Sequence, residues 1–119
     1  MGVDEYVEAS ERQSELLEEL KKIIKSLEEA PADFELNQRI REILDELGVL
    51  RKKLLELSKL EPVGDAALLQ EFYKLVGVFD ERDALEELLK LALKGKVDVS
   101  PDEIASHIKE IKKFEKSLE

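Results

Sequence analysis

The chain has no cysteine and no tryptophan, and it carries three prolines, five glycines and one histidine in 119 residues. Without cysteine there is no disulfide framework, no thiolate nucleophile and no cysteine-ligated zinc. A single histidine excludes the paired-histidine di-metal sites of ferritin-like bundles and the His-Glu-x-x-His zinc helix. No apolar run approaches the roughly 20 residues of a membrane span. The start, from Met1 to Tyr6, is acidic where a secretion leader would be basic and then apolar. The chain is therefore expected to be soluble, and cytoplasmic when made in a cell, with no targeting signal. Positive charge is also short: 19 Lys and Arg stand against 29 Asp and Glu, a net −10. That balance repels a phosphate backbone and anionic lipid alike, so neither nucleic acid nor membrane is an expected partner. A glycine-rich phosphate loop and a nucleophile elbow are both missing.

What is present is Glu, Lys and Leu. Hydrophobic residues make up 43% and charged residues 40%, the composition of long helices rather than strands. The length allows one core, hence one domain over residues 1–119. Its organising feature begins at Leu36, where Leu36, Ile40, Ile43, Leu47, Leu50, Leu54 and Leu57 are spaced four and three in alternation. This is a heptad seam along one side of a helix, and such a helix must be covered by others.

The spacing predicts an all-α, antiparallel up-down bundle of four rods at 4–29, 33–60, 65–94 and 101–118. Tyr6, Ser10, Gln13, Leu17, Leu20, Ile24 and Leu27 carry the seam of the first rod, and Pro31 ends it. Asp33 caps the second, with Gly48 inside it as a close-packing glycine. In the third, Arg82 falls where the next apolar residue is due. A break is therefore expected near 77–80, with Gly77 ending one piece and Asp80 and Asp83 capping the next. Gly95 closes that rod. Ser100-Pro101-Asp102-Glu103 then opens the last, whose seam is Ile104, His107, Ile111, Phe114 and Leu118. Its late lysines would meet the acidic start of the first rod if the two lie antiparallel.

Chemistry can hide in three places. Ser10 and Gln13 are polar at seam positions, and folding the rods back puts Gln13, Gly48 and Gly77 at similar heights. Polar or small residues from three helices then converge, as they would around a small-molecule pocket with Ser10 and Gln13 as hydrogen-bonding groups and Tyr6 and Phe72 as walls. The competing reading is close packing at the glycines and a solvated bundle end. His107 is the second place. It would serve a metalloporphyrin only beside a cavity, and a metal only with Glu103 and Glu110 on the same helix face, a thin donor set; a half-buried histidine bonded to a neighbour competes. The third is a pair of short docking patterns. Leu36, Ile40, Ile43, Asp45 and Leu47 resemble the helix that docks into the groove of apoptosis regulators. Leu85, Leu88 and Leu89 spell a nuclear-receptor box. A bundle needs the same leucines for its own core.

Over its whole length the chain resembles computationally designed helical bundles. The marks are the Glu/Lys/Leu economy, the missing Cys and Trp, helices that begin acidic and end basic, the Ser-Pro-Asp-Glu cap, and a Leu118-Glu119 ending like a cloning scar. The irregular third rod and the polar seam depart from the most idealised designs. The resemblance implies a non-catalytic structural or protein-binding scaffold, without cofactor, monomeric rather than oligomeric. The alternative is a small-molecule-binding bundle, for a small apolar ligand at the Ser10/Gln13/Gly48/Gly77 level or for a metalloporphyrin on His107.

Overall fold

The computed structural model describes residues 2–57 and 80–117. Among them are four helical segments and no strand: α1, Gly2–Ser26; α2, Phe34–Leu57; α3, residues 80–93; and α4, Pro101–Ser117. The expected break at 77–80, Phe72 and Gly77 lie outside the described residues apart from Asp80. No described helix is long and apolar enough to cross a membrane.

The helix ends follow from their residues. α1 begins at Gly2 and stops at Ser26, earlier than the expected 29. Ser26 Oγ bonds the Ile23 carbonyl at 2.6 Å, and the chain then tightens into turns before Pro31. Asp33 caps α2 as expected, its Oδ1 accepting the Leu36 N–H at 2.8 Å. α3 closes in a Schellman motif: Lys96 N–H bonds the Leu91 carbonyl, Gly95 N–H bonds that of Ala92, and Gly95 has φ +76°. Only glycine takes that φ without strain. Ser100 Oγ accepts the Asp102 N–H at 3.2 Å at the start of α4. Asp80 and Asp83 both lie in the helical run of α3, and the residues that precede Asp80 lie outside the described ones.

α1 and α2 run antiparallel, bracketed by two forked ion pairs. Arg12 holds Glu46 through Nε and Nη2 at 2.6 and 2.9 Å. Seven residues on along α1, Glu19 meets Arg39, seven residues earlier on α2, at 2.5 and 2.6 Å. Each guanidinium holds its carboxylate, Glu46 or Glu19, below the ordinary range. Arg82 bonds Glu115 at 2.7 Å, which sets α3 antiparallel to α4. The lysine-rich end of α4 therefore sits beside α3, and no ion pair joins α4 to the acidic start of α1 among the described residues.

The two hairpins face each other over one core. The α2 seam turns inward as predicted: Ile40, Ile43, Leu47, Leu50 and Leu54 are buried, and Leu36 and Leu57 are partly so at its ends. Leu44 widens the stripe, and Leu20, Leu27, Leu85, Leu88, Ile104 and Ile111 pack against it from the other helices. Each fully buried side chain of this size contributes about 1.5–3 kcal/mol before the entropy of ordering the chain is counted. The apolar residues of the two docking patterns are spent here, with Leu89 only partly buried.

At one end the hairpins are stitched together. Ala32 N–H donates to the Lys96 carbonyl at 2.8 Å. Asn37, 2% exposed, accepts the Asp98 N–H at 2.8 Å and donates to the Asp98 carboxylate and to the carbonyls of Ala32 and Asp33. One amide thus satisfies groups on both connecting loops.

Candidate functional site

Gln13 is presented by α1 two turns above Tyr6, on the face that Leu16, Leu17 and Leu20 continue. It is 3% exposed, between Ser10 at 2% and Leu17 at 2%. A primary amide there must find a partner or lose the hydrogen bonds it had with water. The partner is Glu81 of α3: Gln13 Nε2 donates to Glu81 Oε2 at 3.0 Å. The other carboxylate oxygen accepts from Arg51 Nη2 of α2 at 2.5 Å. Three helices thus meet through one carboxylate that is 1% exposed. Burial pushes the Glu81 carboxyl above its ordinary range, and the Arg51 charge and the bonds from Arg51 and Gln13 pull it back.

The cluster is incompletely satisfied. Arg51 Nε and Ser10 Oγ are buried without a hydrogen-bond partner. A guanidinium carries five N–H donors, and among the described residues only Nη2 of Arg51 has an acceptor.

Arg51 stands one turn from Gly48 on α2, and both line an open groove of about 270 Å³ against α4. His107 forms the opposite wall, half-buried. A methyl group built on Gly48 would lie 3.5 Å from His107 Cε1, ordinary contact distance. Burial lowers the affinity of His107 for a proton, with the Arg51 charge in the same sense; Glu103, Asp45 and Glu110 oppose them. The groove is small for a tetrapyrrole. Among the described residues no three His, Asp or Glu side chains are grouped to hold a metal ion.

Tyr6, Ser10 and Gln13 are therefore in the core together, and Gly48 joins their level through Arg51. Gln13 there faces an ion pair, and Phe72 and Gly77, the other residues expected at this level, lie outside the described residues. Sequence reasoning missed Glu81, Arg51 and Asn37. It took Arg82 as the polar interruption of the third seam, whereas Arg82 is partly exposed on Glu115. Glu81 is the residue in line with Leu85, Leu88 and Ala92, at spacings of four, three and four. Arg51 likewise lies four after Leu47 and three before Leu54. Two opposite charges on two seams were the available signal.

Compared with known proteins, the chain matches no family model, no curated protein and no solved structure.

Proposed function

We propose that this protein is a non-catalytic helical-bundle scaffold that acts through its fold or by presenting a surface to a protein partner. The observation that carries this reading is the commitment of Glu81. It is the one buried carboxylate among the described residues, and both its oxygens are engaged by Arg51 and Gln13. A general acid or base must reach a substrate proton, and this one is turned into the helix packing. The charge of −10 disfavours nucleic acid and anionic lipid as partners. A soluble monomer fits the same reading. The surface economy supports a designed origin, while the buried, partnerless Ser10 Oγ and Arg51 Nε weigh toward a backbone borrowed from nature, since idealised designs avoid such atoms.

The test is a panel of generic ester, phosphate and glycoside substrates, assayed with the wild type and with His107→Ala. The scaffold reading expects no turnover above buffer; turnover that disappears in His107→Ala overturns it. The second reading, a core pocket at the Ser10/Gln13/Gly48/Gly77 level, is favoured by the unmatched Ser10 hydroxyl. It expects neutral apolar ligands to raise the melting midpoint saturably, and Gln13→Leu to abolish the rise.

A further inference from the structure

A second groove continues the first along the α2–α4 seam, and Arg51, Lys52 and Glu110 line both. Its remaining wall is Leu55, Lys113 and Phe114. Two independent observations distinguish this place from ordinary surface. In a chain with net charge −10, three cations and one carboxylate share its lining. One of those cations, Arg51, is 6% exposed, and among the described residues its guanidinium makes one hydrogen bond, to Glu81. A buried guanidinium with idle donors favours an added anionic acceptor, and a planar carboxylate matches its fork best.

We propose that the α2–α4 trough binds a small carboxylate carried on an apolar body, with the head group between Arg51, Lys52 and Lys113 and the body on Leu55 and Phe114. The second groove holds about 160 Å³, below the roughly 300 Å³ at which drug-sized pockets begin, so the ligand is a short-chain or single-ring acid. A bare or multiply charged anion is the poorer fit, because Glu110 stands in both grooves and Leu55 and Phe114 offer it nothing. Arg51 already meets one carboxylate, that of Glu81, through Nη2. This inference shares Arg51 with the core level discussed above but places the ligand on the α2–α4 side of it, and a non-catalytic scaffold can carry it.

The experiment is a titration of the full chain with hexanoate, followed by amide chemical shifts, with hexanamide and inorganic phosphate as controls. The expected result is saturation at a dissociation constant on the order of 1 mM, a value suited to so few atoms, with shifts centred on residues 51–55 and 110–114. Hexanamide binds at least about tenfold more weakly. Lys113→Glu, an exposed substitution, weakens hexanoate binding about three- to tenfold, and Glu110→Gln strengthens it about two- to threefold. Lys109→Glu, on the same helix but lining neither groove, leaves it unchanged. The proposal is overturned if hexanoate fails to saturate, if hexanamide or phosphate matches it at the same residues, if the shifts map elsewhere, or if Lys109→Glu and Lys113→Glu weaken binding equally.

Discussion

Arg51 Nη2 and Glu81 Oε1 meet at 2.5 Å inside the bundle, with side chains 7% and 1% exposed. Water cannot screen this pair, so its attraction is strong. Its desolvation cost is of the same order, which makes the net contribution to stability small. The asymmetry lies in breaking it. Glu81→Leu leaves a guanidinium charge stranded in the core and is expected to cost about 3–5 kcal/mol. The double variant Glu81→Leu/Arg51→Met removes both charges and should recover most of that loss. Urea unfolding of the two variants checks this; a double variant as unstable as the single one would place the cost in packing.

Asn37 ties the loop before α2 to the loop before α4 through Asp98. Asn37→Ala leaves the Asp98 N–H and the Ala32 carbonyl short of a partner, at about 1–3 kcal/mol. Hydrogen exchange should quicken at residues 32–37 and 96–98 and stay slow at Leu47 and Leu88. Uniform quickening would mean that the clasp has no local role.

Gly48 lies in the interior of α2, where glycine costs roughly 0.5–1 kcal/mol relative to alanine. The nearest atom to an added methyl is His107 Cε1 at 3.5 Å, so alanine fits without a shift. Gly48→Ala is expected to raise stability by about 0.5–1 kcal/mol, measured as a higher urea midpoint at unchanged slope. A loss would show that the α2–α4 approach is closer than contact distance permits.

His107 binds its proton less readily folded than at its ordinary value of 6.5. Between that value and the lower folded one, the unfolded chain holds more protons. The histidine's contribution is therefore fully present above pH 6.5 and is lost as pH falls through the folded pKa. His107→Gln should flatten the stability profile across this window. Glu81 works in the opposite sense: between the ordinary carboxylate value and its raised folded one the folded chain holds more protons, so acidification through that window favours the folded wild type and the Glu81→Leu profile should fall more steeply there. Chemical denaturation at successive pH values separates the two.

The helices and their ends were legible because they depend on neighbours in sequence. The four-three alternation from Leu36 to Leu57 fixes a wet and a dry side whatever the helix packs against. Asp33, Gly95 and Ser100 act on groups within five residues of themselves. Ser10 and Gln13 announced a polar layer by standing in a seam. The same rules misplaced the polar seam position by one residue, at Arg82, because the apolar spacing of the third rod does not settle which residue of Glu81-Arg82 turns inward.

Sequence alone determined that this chain is helical, where several of its ends fall and which stripe is dry, since each follows from short-range hydrogen bonding and the 3.6-residue period. Tertiary structure decided which charges pair. Residues 13, 51 and 81 come from three helices, and whether a buried carboxylate is tolerable depends on a guanidinium 30 positions away. That proximity is a property of how the hairpins face each other, and no local pattern encodes it.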